Sequence, residues 1–167
     1  MKNPIMKSLV AVALLSVTAC GQKESSEKDS ASASEALTSM SEQPVESGEY
    51  IADSYDISGK TKRSGKFDGR VLVSIGPDQS ALYVYENGNR AKIDYKVILK
   101  TPFEKGDSAY TATDSKGNAV TLRTDSTVYT LAFDKNDTHI SISFDSKPKY
   151  TGTPVEMLER MTKIIGK

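Results

Sequence analysis

The residue best suited to covalent chemistry in this 167-residue sequence is Cys20, its only cysteine, because a thiolate sulfur is a strong nucleophile. Cys20 follows a mostly apolar run, Ser8–Val17, and precedes a tract rich in serine and charged residues. The run is about 10 residues long, whereas a membrane-spanning helix needs about 20. With Lys2 and Lys7 ahead of it and small residues behind it, the run has the parts of a signal peptide that is removed after export.

The residues Val17, Thr18, Ala19 and Cys20 resemble the lipobox of bacterial lipoproteins, in which an aliphatic residue and two small residues precede the cysteine. The resemblance implies cleavage before Cys20, a diacylglyceryl group on its sulfur and acylation of the new amine. Two or three acyl chains hold a protein firmly to a bilayer. In this family a residue other than aspartate after the cysteine, here Gly21, is typical of sorting to the outer membrane. We therefore expect a protein of the bacterial cell envelope that is lipid-anchored at the outer membrane.

Catalytic chemistry has few candidate residues. His139 is the only histidine, and the alternation of its strand places it on the outward face, as is typical of a surface residue. A histidine-based triad would have to use it, and the G-x-S-x-G motif of serine hydrolases does not occur. With no cysteine besides Cys20, zinc sites built from Cys and His are excluded. We predict a non-enzymatic protein without a metal or a cofactor.

Two loops come close to known ligand motifs but do not match them. Residues 59–67 (GKTKRSGKF) have Lys60 where a phosphate-binding loop needs glycine and Phe67 where it needs Ser or Thr. Residues 134–139 (DKNDTH) begin like a calcium loop but have His139 in place of the glycine at the bend. A hairpin turn explains the second segment better.

The first candidate binding element is a basic loop with no acidic residue beside it, made of Lys60, Lys62, Arg63 and Lys66. Such a cluster suits lipid phosphates, lipopolysaccharide or an acidic protein surface. A solvated connector is the simpler interpretation of the same residues.

The second candidate is the pair Tyr83 and Tyr85, which share one face of a predicted strand because side chains alternate. Tyrosine rings stack on sugars or anchor a protein partner, and they fit a core equally well. Leu82 and Val84 occupy the opposite face. Both faces of this strand therefore suit a covered position, as when a helix lies against a barrel.

These candidates belong to three segments of different composition. Serine and charged residues make up more than half of the tract from Gly21 to Gly48, which therefore cannot bury enough apolar surface to offset the entropy of ordering. We predict a lipoprotein signal peptide over residues 1–19, a disordered tether carrying the lipidated Cys20 over residues 20–48, and a folded domain over residues 49–167.

The domain is predicted to be mainly β. Residues 92–100 (KIDYKVILK) alternate with period two, which is typical of a half-buried strand. Turn residues that tolerate a positive φ separate further segments of this kind. About eight strands result, within residues 49–57, 67–75, 81–85, 92–100, 109–113, 119–123, 128–133 and 139–144.

Residues 153–167 (TPVEMLERMTKIIGK) predict a C-terminal helix of about 12 residues, because Thr153 and Glu156 form a capping box and Pro154 takes the first helical position. Its predicted buried stripe consists of Val155, Leu158, Met161 and Ile165.

A meander of short strands followed by a helix resembles, in element order, the calycins or lipocalin-like barrels. The lipocalin Gly-x-Trp signature is absent, since the sequence contains no tryptophan, so the resemblance implies an architecture and no family. The predicted fold class is an antiparallel barrel of about eight strands, or a sandwich, with one C-terminal α-helix.

The domain is close to neutral in charge, so no nucleic-acid partner is expected. The predicted function is a non-catalytic binding module for a small apolar ligand in the barrel or for a protein partner. The alternative is an inhibitor or immunity lipoprotein that blocks a cell-wall hydrolase or a toxin. An apolar cavity of ~300 Å³ or more would favour a ligand, and a filled interior would favour a protein partner.

Overall fold

The chain folds mainly into β-strands, as the alternating segments predict, in a computed structural model that describes residues 43–88 and 93–166. The predicted signal peptide, Cys20 and most of the tether lie outside the described residues. The described elements are β1 (Gly48–Ser58), β2 (Arg63–Ser74), β3 (Ser80–Glu86), β4 (Asp94–Leu99), β5 (Glu104–Lys105), β6 (Tyr110–Thr113), β7 (Ala119–Thr124), β8 (Val128–Lys135), β9 (Thr138–Asp145), β10 (Tyr150–Thr151) and α1 (Pro154–Ile165).

All strands belong to one antiparallel sheet with the order β4-β3-β2-β1-β9-β8-β7-β6-β5, and β10 pairs with the start of β1. The sheet curls into a half-barrel. The predicted mainly β, antiparallel fold with a C-terminal helix is thus confirmed, and a single curled sheet is closer to the barrel than to the sandwich. The eight predicted strands are present. The two-residue strands β5 and β10 were not anticipated.

The concave side of the half-barrel is filled by apolar side chains. In β9 the predicted inward residues Ile140, Ile142 and Phe144 are all buried. The Phe144 ring packs edge-on against the ring of Tyr50 on β1, with 5.4 Å between their centroids. Leu131 of β8 lies directly opposite Ile142 in register and is also buried. The alternation of apolar and polar residues therefore produces a continuous core.

Helix α1 lies on the convex side of the sheet. The predicted capping box is present: the Thr153 and Glu156 side chains each accept a hydrogen bond from the other's backbone N–H (3.3 and 2.7 Å). Met157 and Met161 are fully buried against a second apolar cluster formed by Leu72, Ala81 and Tyr83. Both faces of β3 are therefore covered.

The predicted stripe of α1 needs a correction. Leu158 and Met161 do face the sheet, but Val155 is 63 % and Ile165 48 % exposed. Met157, with Ile164 packed beside it, takes their place in the contact. The apolar residues of the helix cover about half of its circumference, so the shape of the sheet decides which of them are buried.

A group of charged side chains also joins α1 to the sheet. Glu49 of β1 is largely buried and accepts a hydrogen bond from Arg160 of the helix. The other carboxylate oxygen of Glu49 lies 3.6 Å from the Arg70 Nε atom. The Arg160 guanidinium lies over the ring of Tyr150, 4.8 Å from its centroid. Each charge of this partly buried group has a partner.

The domain begins before Glu49. Val45 is buried in the core at 4 % exposure. Gln43 Nε2 donates to the Phe103 carbonyl (3.3 Å), and the Phe103 N–H donates to Gln43 Oε1 (3.0 Å). Residues 43–48, which the composition assigns to the tether, therefore pack as part of the domain.

No helix among the described residues is long and apolar enough to cross a membrane.

Candidate functional site

The two ends of the curled sheet meet along a short seam between β4 and the end of β6. The Ser115 N–H donates to the Ile98 carbonyl (2.8 Å), and the Lys100 N–H donates to the Thr113 carbonyl (2.7 Å). On the N-terminal side of Ile98 the two edges separate and leave an open groove of about 900 Å³. The groove exists because the half-barrel closes over only part of its length.

Four segments line the groove. They are the end of β1, the middle of β4, the turn between β6 and β7, and the turn between β8 and β9: Ser58, Gly59, Lys96–Ile98, Asp114–Lys116, Asn118, Phe133–Asp137 and His139. On its buried side, the Phe133 ring packs edge-on against Tyr95 at 5.8 Å, and the Lys135 ammonium lies 5.0 Å from the Tyr95 ring centroid. These contacts tie β8 to β4 beneath the groove.

The turn between β6 and β7 is held by the Asp114 carboxylate. One oxygen accepts hydrogen bonds from the backbone N–H groups of Lys116 and Asn118 (2.8 Å each), and the other accepts from the Asn118 side chain (3.0 Å). Burial alone would raise the pKa of Asp114, but the hydrogen bonds from Asn118 and Lys116 outweigh it and lower the pKa below its usual value. Asp114 is thus fully engaged in shaping the turn.

The turn between β8 and β9 carries the predicted surface histidine. Asn136 and Asp137 have φ of 51° and 59°, the left-handed conformation that a two-residue hairpin requires. The His139 Nδ1 atom lies 2.8 Å from Asp134 Oδ1, and both side chains are exposed. Ser58 lies opposite His139 in register, but no hydroxyl of the described residues hydrogen-bonds the other ring nitrogen. The arrangement is a surface dyad without an engaged nucleophile.

The predicted basic loop lies beside the groove, since Ser58 and Gly59 of the groove lead directly into it. Its four side chains are all exposed, and none forms an ion pair among the described residues: Lys60, Lys62, Arg63 and Lys66. We call residues 60–66, which comprise most of the β1–β2 connection and the start of β2, the basic hairpin. Its first cation, Lys60, directly follows Gly59 of the groove lining.

The predicted tyrosine pair lies elsewhere. Tyr83 and Tyr85 stack with ring centroids 5.2 Å apart and an interplanar angle of 18°. Tyr83 is 3 % exposed beneath α1, and burial followed by its hydrogen bond to Asp94 raises its pKa to about 12. Tyr83 is therefore a core residue, which is one of the two alternatives that the sequence left open. A ring at this depth offers no face on which a sugar can stack.

Lys96 and Lys116 both line the groove, and neither was among the predicted site residues. Lys96 lies in a strand and Lys116 in a turn, and only the long-range curl of the sheet brings them together.

In residues 43–88 and 93–166 no three His, Asp or Glu side chains are placed to hold a metal ion.

Comparison of the chain with models of known protein families found no match. Comparison with curated protein sequences also found no match.

Proposed function

We propose that the protein is a lipid-anchored envelope protein whose domain is a non-catalytic binding module for a protein partner. The contrast between a filled interior and an open groove carries the proposal. A small apolar ligand needs an enclosed apolar cavity, but Tyr50, Leu131, Ile142 and Phe144 are buried against one another where such a cavity would lie. The groove is open and largely polar in its lining, which suits a macromolecular surface.

The position of the groove supports the same conclusion. The proposed anchor is Cys20, so the tether reaches the domain at Gln43, beside Phe103. Strand β1 starts close to this point and has 11 residues, so its end at Ser58 lies roughly 33 Å away at about 3.3 Å per residue. The groove therefore opens at the end of the domain opposite the attachment point, where a partner has access.

The loop-lined groove also suits the alternative form of this function, in which the partner is a cell-wall hydrolase or a toxin. An inhibitor or immunity lipoprotein needs protruding turns and no internal cavity. The turns at Asp114–Asn118 and Asn136–Asp137 both flank the groove. Both forms place the partner at the same residues.

The proposal is tested by photocrosslinking in cells that carry the full, lipid-anchored chain. A photoreactive residue replaces Lys116 in the groove or, as a matched control, Lys163 on the exposed side of α1. We expect a discrete protein adduct from position 116 and none from position 163. Adducts that are identical at both positions, or that contain lipid alone, contradict the proposal.

A further inference from the structure

Part of the β4 edge that borders the groove has no backbone partner within residues 43–88 and 93–166. The Ile98 carbonyl and the Lys100 N–H point away from β3, into the seam, whereas the Ile93 carbonyl accepts from the Glu86 N–H on the β3 side (3.0 Å). Backbone direction alternates along an antiparallel strand, so the N–H and C=O groups of Lys96 also point away from β3. Within residues 43–88 and 93–166, β4 pairs as a strand with β3 alone.

The unpaired edge has the length of a recognition segment. From Ile98 back to Asp94 the strand covers roughly 13 Å at about 3.3 Å per residue. A chain that adds to this edge would lie about 4.8 Å from β4, in the space between β4 and the turn at Asp114. The seam already shows this geometry, since the backbone at Thr113–Ser115 pairs with β4 immediately below. An added segment would continue the closure of the half-barrel.

The side chains around the groove indicate which residue types an added segment would need. An added strand would present alternate side chains to the buried side, where Val97 and Phe133 lie, and to the outer side, where Lys96 is exposed. Lys96 and Lys116 form no ion pair among the described residues, and neither do the four cations of the basic hairpin, which begins directly after Gly59 of the lining. An apolar inner face and a negative outer face are therefore complementary to the groove.

Three acidic residues also line the groove. Asp114 is occupied by the hydrogen bonds of its own turn, and Asp134 contacts His139 at 2.8 Å. Asp114 and Asp137 form no ion pair in the described part of the chain. The lining thus holds three lysines, Lys96, Lys116 and Lys135, and three aspartates, so the excess of positive charge comes from the basic hairpin that follows Gly59.

We propose that the groove binds an extended segment of the partner protein, with alternating apolar and acidic residues, which adds to β4 as a further strand. The inference rests on the proposed function and specifies how the partner is held. Main-chain hydrogen bonds to Lys96 supply affinity, and the alternating side chains supply specificity, as in other cases of strand addition.

The probe is a blocked octapeptide of alternating valine and glutamate, titrated into a lipid-free chain that begins at Gly21 and retains every described residue. Two matched peptides serve as controls, one with lysine for glutamate and one with alternate amides N-methylated. We expect saturable binding of the acidic peptide alone, with the Lys96 amide protected from hydrogen exchange at least ~10-fold more than in the free protein.

Variants of the protein distinguish the contribution of backbone hydrogen bonds to binding from the contribution of side-chain charge. Lys96→Pro removes the outward N–H, which edge strands tolerate, and we expect it to abolish binding, whereas Lys96→Ala weakens binding only in part. Lys96→Glu with Lys116→Glu should abolish binding, and the control pair Lys105→Glu with Lys163→Glu should not. The N-methylated peptide also tests whether binding needs backbone hydrogen bonds, and it does so without any change to the protein.

Three results overturn strand addition. They are equal binding of the N-methylated peptide, binding that leaves the Lys96 amide unprotected, and binding of none of the peptides. If the adduct at position 116 still forms in cells, the proposed function stands and only the mode of binding is rejected. If neither the peptide nor the adduct is found, both proposals are rejected.

Discussion

The convex face beneath α1 and the groove at the open seam use similar residue types in opposite ways. Under the helix, Tyr83 and Met161 are buried and Glu49 is bonded to Arg160. In the groove, Lys96 and Lys116 are exposed and have no ion pair among the described residues. The first region satisfies its polar groups internally. In the described part of the chain, the second has cations without an ion pair and a strand edge without a neighbouring strand.

This difference separates residues that stabilise the fold from residues that are exposed for binding. Burying a charge is costly unless it is paired, so the contacts of Glu49 are needed for folding itself. Exposed cations and a free strand edge contribute little to stability, and an exposed edge invites association with other chains. Changes under the helix should therefore alter stability, and changes in the groove should alter binding.

The largest effect is expected for Met161→Asp, which puts a carboxylate into the contact between α1 and the sheet. Loss of the buried side chain and desolvation of the new charge should together cost more than ~3 kcal/mol. Urea denaturation of the lipid-free chain measures the change. Ile165→Asp, on the exposed side of the same helix, should stay within about 0.5 kcal/mol of the original protein, and equal effects would show that α1 is not docked as described.

A smaller effect is expected when the chain begins at Glu49 instead of Gln43. The shorter chain lacks the buried Val45 side chain, worth about 1.5–3 kcal/mol, and the hydrogen bond from the Ile75 N–H to Ser47 Oγ (2.9 Å). We expect the free energy of unfolding to fall by roughly 3 kcal/mol. Identical melting temperatures of the two chains would mean that residues 43–48 belong with the tether after all.

Local regularities of the sequence predicted most of the fold. The period-two alternation of residues 93–99 and 140–144 located strands and their inward faces, and Thr153, Pro154 and Glu156 located the start of α1. Each of these signals depends on neighbours within a few residues. The buried face of the helix was predicted only in part. Val155, Met157, Ile164 and Ile165 are all apolar, and contact with the sheet determines which of them are buried.

The groove could not be predicted by the same means. It joins Lys96 of β4 to Lys116 and to Phe133, and their proximity depends on how far the whole sheet curls. The basic hairpin was visible in the sequence as a cluster of charge, but its position at the rim of a groove was not. Cys20 and its lipobox remain a prediction, because they lie outside the described residues.

The smallest expected change in stability is that of Asp114→Ala in the turn that borders the groove. Loss of its hydrogen bonds should cost about 1–2 kcal/mol at pH 7. Because the folded protein holds the pKa of Asp114 below its usual value, this contribution is fully present above the ordinary carboxyl pKa of about 3.9 and is lost as the pH falls below it. Urea denaturation at pH 7 and pH 3 should show the difference between the two proteins shrinking at pH 3. A difference that grows on acidification would contradict this assignment.

The free edge of β4 is the central claim, and amide hydrogen exchange along this strand tests it most directly. In the lipid-free chain without any peptide, the Tyr95 and Val97 amides point toward β3, whereas the Lys96 amide points into the groove. The account predicts that the Lys96 amide exchanges at least ~100-fold faster than those of Tyr95 and Val97. Protection of Lys96 equal to that of Val97 would show that the edge is already covered, and would contradict the groove as a site for an added strand.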